Sequence, residues 1–173
     1  MIIRQARLDD AGQICAIHNA IIRDTEITFT TKERREAQVA ADIALRWSAF
    51  QVAEHDAQVV GFAYFGPFRA GPGYARTKEL TIHLTPDARG HGTGRALLRR
   101  LEKEAIAQGV HVLVAGISAA NPGGIAFHAA CGFDEVGRLP EVGIKAGQWL
   151  DLVLMQKILP KGMDPADSDD AAG

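Results

Sequence analysis

Apolar and polar residues change their period several times along this chain, and each change marks an expected element. Residues 2–6 read as a short strand. Asp10 followed by Gln13 has the spacing of a capping box, and Ile14, Ile17 and Ile21 then share one helical face. Thr30 followed by Glu33 is a second cap, opening a helix whose buried stripe is Val39, Ile43 and Trp47. Residues 51–53 and 58–65 flank the polar turn Glu54-His55-Asp56-Ala57 and predict a β-hairpin. Residues 66–73 form a loop rich in Gly and Pro. A strand over 79–84, a turn over 90–94 and a helix over 95–108 follow, with Leu97, Leu98, Leu101 and Ala105 inward and Gly109 as the C′ residue. Residues 110–117 read as a buried strand. Asn121-Pro122 pairs an N-cap residue with Pro at N1, so a helix opens there and runs toward Cys131, where Gly132 closes it. Residues 149–157 alternate as a final strand. The order β-α-α-β-β-β-α-β-α-β predicts one α/β domain on a mixed sheet, spanning 1–160 with no internal boundary.

Composition narrows the class. A length of 173 residues fits one domain, and 47% hydrophobic residues suffice for a core. The formal charge of -2 gives no nucleic-acid footprint. No apolar run approaches the roughly 20 residues of a membrane helix. Met1-Ile2-Ile3-Arg4 lacks the apolar region of a signal peptide, so a cytoplasmic protein is expected. The two cysteines, Cys15 and Cys131, have neither metal-ligand nor disulfide-framework spacing, and no metal is expected. Residues 161–173 are acidic and nearly free of large apolar groups, and are expected to be a disordered tail; the alternative is an acidic interaction tail.

One segment carries clear chemistry. After the strand ending at Leu84, glycines recur at every second position, Gly90, Gly92 and Gly94, and a helix begins. Glycine permits positive φ and close approach of backbone N–H groups to a ligand. The helix after the turn adds orphan N–H donors and the positive end of its dipole. Such a turn suits a phosphate or pyrophosphate, with Arg89 and Arg95 adding charge. A Walker A loop requires Gly-Lys-Ser/Thr, but Gly94 is followed by Arg95-Ala96. The dinucleotide fingerprint places its third glycine later than Gly94.

Arg89-Gly-His-Gly-Thr-Gly94 resembles the Arg/Gln-x-x-Gly-x-Gly/Ala signature of the GNAT superfamily of N-acetyltransferases. Further segments resemble its phosphinothricin/methionine-sulfoximine acetyltransferase branch: Gly61-Phe-Ala-Tyr-Phe-Gly-Pro-Phe-Arg69, Tyr74, Thr77-x-Glu79, Val112-Leu-Val-Ala-Gly-Ile117, Asn121, His128, Gly132-Phe133, Val136-Gly-Arg138 and Trp149-Leu-Asp-Leu152. The resemblance covers about residues 2–157. It implies a single-domain GNAT fold: a mixed, mostly antiparallel sheet flanked by helices and splayed between its two central strands. It also implies acetyl-CoA as cosubstrate, a small-molecule amine as acceptor and a homodimer.

Roles follow residue by residue from that resemblance. Arg89, Gly90, His91, Gly92, Thr93, Gly94 and Arg95 hold the coenzyme pyrophosphate. The backbone of Ile82, His83 and Leu84 pairs with the pantetheine arm as an added strand, and one of its N–H groups polarises the acetyl carbonyl. Asn121 contacts the coenzyme as well as capping its helix. Glu79 is the base for the acceptor ammonium, directly or through water; at an ordinary carboxylate pKa it is a weak base, so burial should raise it. His128 stands where many relatives carry a tyrosine acid and serves as acid, base or substrate contact. His83 shares a face with Glu79 and Thr81 and reads as a cofactor-side neighbour. Cys131 is a small apolar filler. Arg69 would bind an acceptor carboxylate bidentately, with Phe29 and Tyr74 as an apolar wall.

The chain departs from the branch after Arg69. Relatives commonly read Tyr/Phe-Arg-x-Thr-Val-Glu where this chain reads Tyr74-Ala75-Arg76-Thr77-Lys78-Glu79. A shift of one place along a strand sends a side chain to the opposite face, so the departure bears on the amine that is chosen. The expected activity is N-acetylation of an amino-acid analogue of the phosphinothricin, methionine sulfoximine or methionine sulfone type. The alternatives are a protein N-terminus, lysine or polyamine as acceptor, or a coenzyme A-binding module without catalysis.

Overall fold

The computed structural model describes residues 1–160; the tail expected over 161–173 lies outside the described residues. The elements run β1 (Ile2–Gln5), α1 (Ala11–Asp24), α2 (Glu36–Arg46), β2 (Phe50–His55), β3 (Gln58–Pro67), β4 (Thr77–Leu84), α3 (Thr93–Ala107), β5 (Val112–Ser118), α4 (Pro122–Ala130), β6 (Asp134–Lys145) and β7 (Gln148–Ile158). They form a seven-stranded sheet ordered β1-β2-β3-β4-β5-β7-β6. All neighbours are antiparallel except β4 and β5.

Alternation along β2 and β3 divides the core between the two sheet faces. Leu97, Leu98, Leu101 and Ala105 of α3 pack with Ala53, Ala63 and Leu113 on one face. Ile14, Ile17 and Ile21 of α1 and Val39 and Ile43 of α2 pack with Phe50, Val52 and Phe62 on the other. The stripes expected for α1 and α3 are therefore the buried ones.

Local details differ from the sequence expectation. The Asp10 carboxylate accepts from the Arg7 N–H at 2.7 Å and pairs with Arg4, so it closes the short turn before α1. Gln13 Oε1 accepts from Val59 N–H on β3, and the expected box does not form. Helix α2 opens at Glu36, beyond Thr30 and Glu33; its box is made by Gln38 Oε1 accepting from the Arg35 N–H at 2.9 Å. Trp47 has left the helix with φ 47° and is 70% exposed, so it is not part of the buried stripe. The β2–β3 turn is two residues long: Asp56 and Ala57 both take positive φ, and His55 pairs with Gln58.

The largest addition is β6. Pro140 and two register shifts interrupt its period of two, and most of its residues are exposed at the sheet edge. The amphipathic signal that reveals other strands is absent there.

Asn121 does cap α4, its Oδ1 accepting from the Gly124 N–H at 2.9 Å, with Pro122 behind it. Asn121→Ala is expected to cost about 1 kcal/mol of stability, read by chemical denaturation.

The two central strands shape the middle of the sheet. β4 and β5 pair only from Thr77↔Val112 to Leu80↔Ala115. Beyond Leu80, β4 stays with β3 to Leu84↔Gly61, and β5 stays with β7 to Ser118↔Leu152. The two strands part, and the sheet opens into a wedge whose two backbone edges are unpaired among the described residues.

Candidate functional site

A cavity of about 580 Å³ fills this wedge. Residues 81–84 of β4 form one wall and Ala115, Gly116 and Ile117 of β5 the other. The glycine turn closes one end; Asn121, Gly123, Gly124, Phe127 and His128 of α4 line a further side, and Ile21, Ile27 and Thr28 reach in from α1 and the loop after it.

Two of the three glycines do what a ligand-binding turn demands. Gly90 has φ 80° and Gly92 φ 81°, and a Cβ on either would meet nothing within 4 Å. Backbone conformation, not crowding, requires glycine there. Gly92 is the N-cap of α3 and no side chain caps that end, so the first-turn N–H groups remain as donors. Gly94 serves packing instead: a Cβ would stand 3.1 Å from Phe127, so its absence lets α3 and α4 approach. Arg89 and Arg95 line the cavity, and among the described residues each side chain is held only by a long bond to a carbonyl, of Leu84 at 3.4 Å and Ala130 at 3.5 Å. Thr93 is buried, its hydroxyl against Met1 Sδ, so only its backbone faces the turn. His91 is exposed and off the cavity wall. An open cradle of positive-φ glycines at an uncapped helix start, flanked by two arginines, fits a pyrophosphate.

The side chains around the wedge differ in their electrostatics. Glu79 pairs across to Gly66 and Val114, at the vertex where β4 and β5 still bond. Leu80 faces α3, so Glu79 faces the side of α1 and α2. Its Oε1 lies 3.3 Å from the place a Cβ of Gly116 would occupy, so that glycine makes its room. Glu79 keeps solvent access, yet partial desolvation by its neighbours raises its carboxyl above the ordinary value. The residue stands just outside the cavity lining, at its narrow end.

His128 approaches from the α3 side. Its Nδ1 lies 2.8 Å from the Gly124 carbonyl, which can only accept, so Nδ1 carries the proton. Nε2 then presents a lone pair, buried and without a hydrogen-bond partner among the described residues. Burial lowers the His128 pKa despite the opposing Gly124 bond, so the neutral ring is the resting form. His83 lines the cavity with its ring 5.3 Å from that of His18 and 5.4 Å from Phe62. Burial, then His18 and Arg89, push its pKa down to about 3, which makes it a neutral wall and no acid. Burial likewise raises the Cys131 thiol, in keeping with an inert filler.

The expected acceptor residues do not line the cavity. Arg69 is exposed, its guanidinium 5.3 Å from the Phe68 ring, and Phe68 meets Tyr74 at 6.1 Å in the loop after β3. Phe29 packs over Gly143 of β6. Gly116 was the legible signal missed: glycine inside a buried strand marks close approach of something else. Ile27 and Thr28 belong to an irregular loop and gave no signal. Among the described residues, no group of three or more His, Cys, Asp or Glu could hold a metal, and no helix is long and apolar enough to cross a membrane.

The sequence and the fold are similar to those of known proteins. The chain is 36% identical over 169 residues to the L-methionine sulfoximine/L-methionine sulfone acetyltransferase of Salmonella typhimurium, covering 95% of this chain and 98% of that protein. A GNAT superfamily phosphinothricin acetyltransferase from Sinorhizobium meliloti, solved in complex with acetyl-CoA, matches with TM-score 0.87 and 32% identity over 94% of this chain and 90% of that one. A ribosomal-protein-alanine N-acetyltransferase from Brucella melitensis matches with TM-score 0.88 and 40% identity over 92% of this chain and 100% of that one. Residues 15–133 match the acetyltransferase (GNAT) family model, and the chain belongs to that family.

Proposed function

We propose that this protein transfers an acetyl group from acetyl-CoA to the amino group of a small amino-acid analogue of the phosphinothricin, methionine sulfoximine or methionine sulfone type. The observation that carries the reading is the parting of β4 and β5 beyond Leu80, which leaves unpaired backbone between an anion cradle and Glu79. Relatives acting on such analogues, at about a third identity over nearly the whole chain, support the acceptor class.

Acetyl-CoA supplies an activated thioester. The chain's own groups then divide the work. First-turn N–H groups of Gly92, Thr93, Gly94 and Arg95, with Gly90 and Arg89, hold the pyrophosphate. The free edge of Ile82, His83 and Leu84 pairs with pantetheine amides, and one of its N–H groups polarises the reacting carbonyl. Asn121 stands beside that arm. Glu79, raised by partial desolvation, accepts the ammonium proton directly or through one water. His128 Nε2, an acceptor in its resting tautomer, takes the second proton that the amine nitrogen loses once its bond to the acetyl carbon has formed, and returns it to the thiolate as the carbon–sulfur bond breaks. Arg69 is the residue that would bind the acceptor carboxylate, with Tyr74 on its loop and Phe29 on the loop after α1; because none of the three lines the cavity, this role requires the loop after β3 to move toward it.

Residues 1–160 form a single catalytic domain in this reading. Ile144 and Trp149 face each other across β6 and β7 as an exposed apolar pair, and a second copy covering this face would make the homodimer. A cytoplasmic setting supplies acetyl-CoA and keeps Cys15 and Cys131 as free thiols.

A second reading, acetylation of a peptide N-terminus, draws support from the Brucella melitensis structure's name. Competition separates the two. L-methionine sulfone is expected to exceed a peptide beginning with alanine by about a hundredfold or more in kcat/KM. Preference for the peptide would replace the first reading with the second.

A further inference from the structure

The edge strand that sequence periodicity does not reveal carries two residues that contact the loop after α1. Lys145, near the end of β6, is 8% exposed. Its ammonium donates to the Thr25 carbonyl at 2.6 Å and the Thr28 carbonyl at 3.0 Å. No carboxylate pairs with it among the described residues. Thr25 is the C-cap of α1, where the last carbonyls lack helical partners and the dipole is negative. A buried cation is therefore spent on backbone oxygens of one loop.

Gly143 lies two residues earlier on the same face of β6 and touches the same loop. A Cβ there would stand 2.4 to 2.7 Å from three atoms of the Phe29 ring. Its φ is not among the positive ones, so close approach of Phe29 explains the glycine. Among the described residues, the loop's other hydrogen bonds between Thr25 and Phe29 are local, Thr25 Oγ1 to the Ile21 carbonyl and Ile27 N–H to Thr25 Oγ1, and Ile27 packs against the core cluster of α1 and α2. Contacts from β6 thus fix the segment on both sides of Ile27 and Thr28, the two loop residues that line the cavity.

We infer that Lys145 and Gly143 are positioning residues that latch segment 25–29 as the acceptor-side wall of the wedge, and so set affinity for the acceptor amine. This rests on the acetyl-transfer reading of the site. The contacts of Lys145 and Gly143 reach neither the glycine turn nor β4, so their loss should weigh on the acceptor more than on acetyl-CoA.

The test compares Lys145→Met and Lys145→Arg with the parent protein. In Lys145→Met, KM for L-methionine sulfone should rise about tenfold while kcat and KM for acetyl-CoA stay within about twofold. Amide exchange should quicken over residues 24–31 and stay unchanged in α3, and Lys145→Arg should restore part of the protection. Exchange needs no turnover: if no amine is acetylated the acetyl-transfer reading fails, while exchange still decides the latch. Unchanged exchange over 24–31, or acceptor and acetyl-CoA KM rising together, would overturn the inference. If Lys145→Met does not fold, Gly143→Ala keeps the ammonium and displaces Phe29; the same selective rise in acceptor KM is expected, and an unchanged acceptor KM would overturn the inference.

Discussion

Glu79→Gln is expected to lower kcat by about 10²–10⁴-fold, the usual contribution of a positioned general base. Glutamine keeps the shape beside Gly116 and removes the proton acceptor. KM for acetyl-CoA should change little, since the pyrophosphate cradle lies at the other end of β4. The pH profile supplies an independent sign. Partial desolvation raises the Glu79 carboxyl above its ordinary 4.5, so the base form is lost at a higher pH than for a fully hydrated glutamate. The rate should fall as pH drops through that raised value, and this limb should vanish in Glu79→Gln. Stability moves the other way. A carboxyl with a raised folded pKa binds its proton more tightly when folded, so stability declines as pH rises through the window between the unfolded and folded values. Replacing it with neutral glutamine should therefore leave thermal stability at neutral pH equal to or above that of the parent. A variant that folds and keeps full turnover would remove Glu79 from the chemistry.

The second large effect concerns the glycine turn. Gly90 and Gly92 both take positive φ with open space around them. A side chain at either position costs roughly 1–2 kcal/mol in the left-handed region. The double change Gly90→Ala, Gly92→Ala should relieve that strain by turning the peptide N–H groups away from the cradle. KM for acetyl-CoA is expected to rise about a hundredfold, with acceptor KM and saturated kcat nearly kept. Gly94→Ala is the contrasting control. Its conformation is ordinary, but its Cβ would press on the Phe127 ring, so it should shift α4 and lower stability. Titration calorimetry with acetyl-CoA and thermal melts separate the two outcomes. Equal loss of acetyl-CoA affinity in both variants would contradict the division of labour among the glycines.

Much of this molecule is legible from residue order because burial imposes a period. The α3 stripe of Leu97, Leu98 and Leu101 reads correctly because one helix face packs on one sheet face. Asn121-Pro122 reads correctly because an N-cap is a local event between near neighbours. Trp47 reads wrongly because its spacing continues the helix while the backbone leaves it. Gln13 reads wrongly because a long-range partner, the Val59 N–H, claims its amide oxygen. β6 is invisible because an edge strand with Pro140 and two bulges keeps no period for burial to enforce. The site divides the same way. The glycine turn announces itself through composition, and Glu79 and His128 through resemblance to a family motif. The seating of Phe29 on Gly143 and of Lys145 on the loop joins residues more than a hundred positions apart. No local pattern encodes such a contact.

On the proposed function, the wedge between β4 and β5 performs acetyl transfer to an amino-acid analogue. Thiol release from acetyl-CoA by the purified protein, with and without L-methionine sulfone, tests it most directly, with the product identified by mass spectrometry. Saturable, acceptor-dependent release is expected, with the acetyl group on the amine nitrogen. Protein that binds acetyl-CoA yet shows no acceptor-dependent release with methionine sulfone, methionine sulfoximine or phosphinothricin would contradict the claim.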